Sequence, residues 1–221
     1  MHVYVTATDT DAGKTVVSSA LLHALRRRGL RAVGMKPVAS GCMQAGSGWR
    51  NADALALLEA SEPQPAYEDL NPYALPLPLA PEIAAREAGA DIDPAVLHAA
   101  YRRLHGQADA VVVEGVGGWA APLSATLDQV DLVRAFSLPV VMVVGMRLGC
   151  INHARLTARA IAADGVSLSG WIACEVDPDM ARRDENFALL SARIPMPCWG
   201  RLPWRANPDP LELSGFLDPR A

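Results

Sequence analysis

Apolar runs and helical patterns alternate along the chain, and this alternation predicts an α/β fold: a mostly parallel central sheet flanked by helices, in a single domain over residues 1–221. Two further observations agree. The first apolar run leads into a Gly-Lys-Thr turn and then a helical stretch. There are only two lysines against eighteen arginines: Lys14, in the turn between the first apolar run and the helical stretch, and Lys36, which ends the second apolar run. A chain so biased toward Arg keeps Lys where a compact, mobile ammonium is needed and a planar guanidinium does not fit.

The elements follow in order. His2-Thr6 reads as a strand because Val3-Tyr4-Val5 are β-branched or aromatic. Lys14-Arg28 reads as a helix closing on Arg26-Arg27-Arg28, a basic run that complements the negative end of the helix dipole. Ala32-Lys36 is the next strand and Asp53-Ala60 a helix. Between Ser61 and Pro81 the prolines 63, 65, 72, 76, 78 and 81 predict a long excursion over the sheet edge, either a linker or part of a substrate wall. Helices are expected at Pro94-Gly106, Val130-Ala135, Asn152-Asp164 and Arg183-Arg193. Strands are expected at Ala110-Glu114, Val140-Gly145, Gly170-Cys174 and Trp199-Leu202.

Composition excludes several classes. A net charge of −4 argues against a nucleic-acid or anionic-membrane partner, because neutralising phosphates needs clustered positive charge. The run Pro139–Val144 is too short to span a bilayer. Cys42, Cys150, Cys174 and Cys198 lie far apart, have no CxxC spacing and follow no signal-like amino terminus, so a reducing cytoplasm is expected. The five histidines lack metal-ligand spacing, and none is assigned a catalytic role.

The chemistry concentrates in turns. Residues Ala7 to Thr15 join the first strand to the first helix, where backbone N–H groups wrap an anion, Lys14 bridges terminal phosphates and the Thr15 hydroxyl meets magnesium. The generic pattern G-x-x-x-x-G-K-[ST] fails, since Thr8 stands at its first glycine. Asp53 and Glu114 complete an oxygen-rich magnesium site with Thr15; the lesser alternative for Asp53 is a helix-start carboxylate favourable to the dipole. Gly115, Gly117 and Gly118 let backbone approach a ligand, or form an ordinary turn. Residues Gly145 to Asn152 offer a second anion site at a strand–helix junction, or a plain connection capped by Asn152.

Six motifs in order closely resemble the dethiobiotin synthetase family: Thr-x-Thr-Asp-Thr-x-x-Gly-Lys-Thr (Thr6 to Thr15), Lys-Pro-Val-Ala-Ser-Gly (Lys36 to Gly41), Asn-x-Asp-Ala (Asn51 to Ala54), Val-Glu-Gly-x-Gly-Gly-Trp (Val113 to Trp119), Leu-Gly-Cys-Ile-Asn-His-Ala (Leu148 to Ala154) and Gly-Trp-Ile-Ala (Gly170 to Ala173). Leu202-Pro203-Trp204 extends the match. This family's phosphate loop is one residue longer than the generic spacing, which accounts for the failed pattern.

The resemblance implies a P-loop NTPase fold and an ATP- and Mg2+-dependent ring closure. In it, 7,8-diaminononanoate and CO2 or bicarbonate give a carbamate, the carbamate attacks the γ-phosphate, and the second amine closes a cyclic urea. Lys36, Lys14 and Thr10 are implied as catalytic, with Ser40 also on the carbamate. Asp11, Ala12, Gly13, Lys14, Thr15 and Val16, with Asp53, Glu114, Gly115, Val116 and Gly117, are implied around ATP. Thr15, Asp53 and Glu114 would hold the metal, and Cys174, Glu175, Pro203, Trp204 and Arg205 would line the base. Leu148, Gly149, Cys150 and Asn152 would receive the substrate carboxylate from a neighbouring subunit, which implies a homodimer.

Three positions depart from the family pattern. Ala7 replaces a glycine, Phe187 lies near a tyrosine of some members, and Cys174 stands where an adenine-reading Asn is common. A second reading is a partition-type ATPase switch acting through partner binding. Such proteins carry an extra lysine early in the phosphate loop, and Thr8 to Ala12 contains none.

Overall fold

The computed structural model describes residues 1–46 and 48–219. The chain begins with β1 (His2–Ala7), α1 (Lys14–Arg27) and β2 (Ala32–Met35), then the short strands β3 (Val38–Ala39), β4 (Met43–Ala45) and β5 (Gly48–Arg50). Next come α2 (Ala52–Ala60), α3 (Tyr67–Leu70), β6 (Tyr73–Ala74), α4 (Pro81–Glu87) and α5 (Pro94–Gln107). After β7 (Ala110–Glu114) follow β8 (Pro122–Ser124), β9 (Leu127–Asp128), α6 (Gln129–Phe136), β10 (Val140–Met146) and α7 (Cys150–Ala163). The last elements are β11 (Leu168–Glu175), α8 (Arg183–Arg193), β12 (Cys198–Leu202), α9 (Pro210–Leu213) and a 3-10 turn at Ser214–Phe216.

The central sheet has six parallel strands in the order β12-β11-β10-β1-β7-β2. Every residue of β7 and β10 is buried, which is why both read as unbroken apolar runs rather than alternating ones. The pleat still sorts side chains: Val3, Val5 and Val112 join the cluster under α1, whereas Tyr4, Val111 and Val113 join the one under α5. Each helix fits its face by period. Val17, Leu21, Ala24 and Leu25 of α1 and Leu97, Ala100, Tyr101 and Leu104 of α5 are buried. Fully burying one such Leu or Val is worth ~1.5–3 kcal/mol.

The basic end of α1 is a brace. Arg26 donates to Ala60 O at 3.0 Å, Arg27 to Ser214 Oγ at 2.7 Å and Arg28 to Pro219 O. All four cysteines are free thiols. Among the described residues no helix is long and apolar enough to cross a membrane.

The differences from expectation are local. α7 starts at Cys150 rather than Asn152, because Gly149, at φ 93°, is its N-cap; Asn152 is an exposed residue of the first turn and not a cap. Helix α2 starts at Ala52, with the Asn51 side chain accepting from the N–H groups of Asp53 and Ala54. The proline-rich excursion is folded. It carries α3 and β6, and β6 pairs in parallel with β3 instead of running loose over the sheet edge. Elements of two to four residues are too short to show a period, so α3, α9 and the short strands leave no pattern in the sequence.

Candidate active site

The phosphate loop leaves β1 at Ala7, which is paired with Val143 as ordinary extended strand, so the missing glycine costs nothing there. Asp11 (φ 54°) and Gly13 (φ 84°) then turn the chain left-handed into α1. Gly13 is required twice over. A side chain would be strained at that φ, and a Cβ would lie 2.5 Å from Cys174 Sγ. Lys14 folds back over the loop, donating to Gly117 O at 2.6 Å and Asp9 O at 3.2 Å. Its burial, with Lys36 nearby, lowers the ammonium to about 8.

Sheet register assembles the rest. Val5 pairs with Glu114 and Met35 with Val113, so the residue after β2, Lys36, falls beside Glu114. Lys36 Nζ lies 2.6 Å from Glu114 Oε1, 3.0 Å from Asp53 Oδ2 and 3.2 Å from Gly115 O. Burial opposes the Lys36 ammonium, but the Glu114 and Asp53 charges outweigh it and raise its pKa. Burial likewise pushes the Asp53 carboxyl up, and the Lys36 charge overcomes that and holds it below its usual value. Thr15 Oγ1 donates to the same Glu114 oxygen at 2.9 Å. Among the described residues, the buried Glu114 Oε2 has no hydrogen-bond partner.

The excursion braces this side of the site. Asn71 Nδ2 donates to Lys36 O at 2.7 Å, Tyr67 OH donates to Asn71 Oδ1 at 3.1 Å, and Asn51 N donates to Tyr67 OH at 2.9 Å. Asn51 Nδ2 in turn donates to Ser40 O at 3.2 Å. Tyr67 and Asn71 thus fix the backbone that carries Lys36, Ser40 and Asp53. Neither residue was legible as functional in the sequence, since both lie in a four-residue helix or just after it.

Lys14, Thr15, Lys36 and Asp53 line one cleft of about 700 Å³, whereas Glu114 is fully buried, contacting Lys36 and Thr15 without bordering the cleft itself. Thr10, Asp11, Gly13, Lys14, Thr15, Val16, Lys36, Ser40, Asp53, Val116 and Gly117 all border it, and so do Pro78, Leu79, Ala80 and Pro81. The excursion is therefore part of the cleft wall. Other expected residues lie elsewhere. Ala12 is fully buried within the loop. Leu148 is 91% exposed beyond the cleft, Cys150 is buried in α7, and Arg147 ties their turn to the phosphate loop through an ion pair with Asp9 at 3.0 Å.

At the far end, Cys174 is buried beneath Gly13, and burial together with the Glu175 charge pushes its thiol up to about 12, so it stays neutral. Glu175 accepts from Arg201 at 2.7 Å, Arg183 at 2.9 Å and Trp204 N at 3.3 Å, and so anchors the turn at Pro203, Trp204 and Arg205.

The donor set suits a hard cation. Thr15, Asp53 and Glu114 offer only oxygen, and Glu114 Oε2, buried with no hydrogen-bond partner among the described residues, fits a cation-binding acceptor.

A parallel sheet with a Gly-Lys-Thr loop at the end of its third-from-edge strand, and a second lysine and two carboxylates around it, defines an ATP-using enzyme of the P-loop class. A family model described as an AAA domain matches residues 1–210. The chain is 66% identical over 218 residues to a Xanthomonas oryzae pv. oryzae (strain PXO99A) protein named ATP-dependent dethiobiotin synthetase BioD, covering 98% of this chain and 97% of that one. The Xylella fastidiosa (strain 9a5c) protein of that name is 64% identical, over 98% of this chain and 96% of its own length. The chain belongs to the ATP-dependent dethiobiotin synthetases, ligases of biotin biosynthesis.

Solved structures agree on fold alone. The MinC:MinD cell division complex of Aquifex aeolicus superposes with a TM-score of 0.57 at 14% identity, over 93% of this chain and 82% of that one. The signal recognition particle receptor FtsY of Elizabethkingia anophelis with GDP gives 0.54 at 15%, over 95% and 58%.

Proposed function

We propose that the protein converts 7,8-diaminononanoate, CO2 and ATP into dethiobiotin, ADP and phosphate. The observation that carries this reading is the convergence of two ammonium groups, Lys14 and Lys36, on one cleft that also presents the Thr10 and Ser40 side. Two anions must be brought together in the reaction, a carbamate and a triphosphate, and two separate cations answer that need.

The amine attacks CO2 and loses a proton, giving the carbamate. Thr10 and Ser40 orient it, and Lys36 offsets its charge. A carbamate oxygen then displaces ADP from the γ-phosphorus, while Lys14 and the loop N–H groups from Asp11 to Val16 stabilise the transferring phosphoryl group. The second amine attacks the carbamoyl carbon and expels phosphate, closing the cyclic urea. Thr15, Asp53 and Glu114 would hold magnesium, which when bound screens the phosphate charges.

Glu114, Gly115, Val116 and Gly117 border the phosphates. Cys174, Glu175 and the 203–205 turn border the base. The active unit is a homodimer in which Leu148, Gly149, Cys150 and Asn152 of one subunit receive the carboxylate of diamine bound in the other. The exposure of Leu148 and Asn152, away from the cleft of their own chain, supports this. The four free thiols and the acidic charge suit the cytoplasm. The test is purified protein with diamine, bicarbonate, magnesium and ATP, assayed for the cyclic urea by mass; nucleotide hydrolysis without that product would overturn the reading.

A further inference from the structure

Gln129, the first residue of α6, is 1% exposed and lies outside the cleft, yet its side-chain amide is fully engaged. Oε1 accepts from Tyr4 OH at 2.8 Å and Val116 N at 2.9 Å. Nε2 faces three carbonyls, Gly118 O at 2.6 Å, Ala121 O at 3.3 Å and Trp119 O at 3.4 Å. The orientation is forced. Val116 N can only donate and the carbonyls can only accept, so a flipped amide would set oxygen against oxygen. Burial and the Glu114 charge raise the Tyr4 phenol, which stays a donor at any working pH. Gly115 is the matching feature in the loop, because a Cβ there would collide with Gln129 Oε1 and the Tyr4 hydroxyl.

The loop pinned in this way carries the acceptors on which both lysines rest. Lys36 Nζ donates to Gly115 O at 3.2 Å and Lys14 Nζ to Gly117 O at 2.6 Å. Val116, between those two carbonyls, is held by Gln129, and so is Gly118, the next residue. We infer that Gln129 is a positioning residue: by clamping Val116 and Gly118 it sets the Gly115 and Gly117 carbonyls, and through them the places of the Lys36 and Lys14 ammonium groups. It touches neither the lysines nor the cleft. An amide does this work well, because one rigid plane supplies an acceptor on one side and two donors on the other.

The inference rests on the proposed roles of the two lysines only for its kinetic consequence, so the experiment has one readout that needs no turnover. With just two lysines in the chain, protein labelled with 15N at Lys Nζ gives two ammonium signals. Gln129→Met keeps the length and apolar bulk of the side chain and removes its hydrogen bonds. In the folded variant both Nζ signals should move and their exchange with water should quicken, and kcat should fall at least tenfold well below the melting temperature. Unmoved Nζ signals would overturn the inference, even if the melting temperature dropped. Moved signals with wild-type kcat would uphold the positioning and instead count against the proposed roles of Lys14 and Lys36. If Gln129→Met does not fold, Gln129→Asn, which keeps the amide but cannot reach both Val116 and Gly118, takes the same test with the same outcomes.

Discussion

The Lys36 ammonium lies 2.6 Å from Glu114 Oε1, with side-chain exposures of 4% and 0%. Both charges are out of water, and neither is tolerable there alone. Three acceptors, Glu114, Asp53 and Gly115 O, surround a point charge, and a planar guanidinium fork presents its donors in a different, fixed geometry. Lys36→Arg is expected to lower kcat at least a hundredfold, about the effect of losing one preorganised charge-stabilising donor. ATP affinity, measured by calorimetry, should change less than threefold. A near wild-type kcat would refute the role of Lys36.

Lys36→Met leaves the Glu114 charge buried without its cation, and such breakage costs about 3–5 kcal/mol. The pH sign follows from the raised Lys36 and lowered Asp53. The Asp53 contribution is present above the ordinary carboxylate range and is lost as pH falls through its depressed value. The Lys36 contribution is present below the ordinary lysine range and is lost as pH rises through its raised value. The wild-type advantage over Lys36→Met in urea denaturation should therefore be flat across neutral pH and shrink toward both extremes.

Lys14 behaves in the opposite sense. Its ammonium is lowered to about 8 by burial and by Lys36, so between about pH 8 and the ordinary lysine value the unfolded chain binds the extra proton and stability rises with pH. Nucleotide phosphates reverse this by supplying counter-charge. ATP affinity should weaken as pH rises above about 8, with a proton taken up on binding, and Lys14→Met should bind weakly at all pH values with a flattened profile. Equal pH slopes in wild type and variant would refute it.

Gly13 stands at φ 84° over Cys174. Gly13→Ala incurs ~1–2 kcal/mol from the left-handed backbone alone, and overpacking against Sγ adds to it. A lowered urea midpoint with weakened ATP binding is expected. A variant as stable as wild type would show that the loop is not fixed as described.

In the proposed base site the buried Cys174 thiol has none of the paired donor and acceptor that an Asn amide gives. A good bidentate contact to adenine is worth ~1–3 kcal/mol, so the wild type should favour ATP over CTP and GTP in kcat/KM less than Cys174→Asn does, by about tenfold to a hundredfold. Strong ATP preference unchanged by the substitution would assign base reading to the 203–205 turn.

Leu148 is 91% exposed, so little of it is packed against its own fold. Leu148→Asp should leave the melting temperature of the isolated chain unchanged, weaken dimerisation in sedimentation, and raise the diamine KM at least tenfold while the ATP KM stays within twofold. Equal changes for both substrates would count against a site shared between subunits.

The alternation of strands and helices, the phosphate loop and the candidates Lys14, Lys36, Asp53 and Glu114 were legible in the chain because each stands in a local pattern: a run of valines, a Gly-Lys-Thr turn, a helix start, a lysine where arginine is the rule. Which of them meet is a matter of packing. Lys36 and Glu114 are 78 residues apart and Lys14 and Gly117 are 103 apart. Strand order and register bring them together, and no period in the chain encodes either. The same holds for Gln129 and for the Tyr67–Asn71 brace: a polar side chain in a short element looks like surface until the packing around it shows that all its hydrogen bonds are made inside.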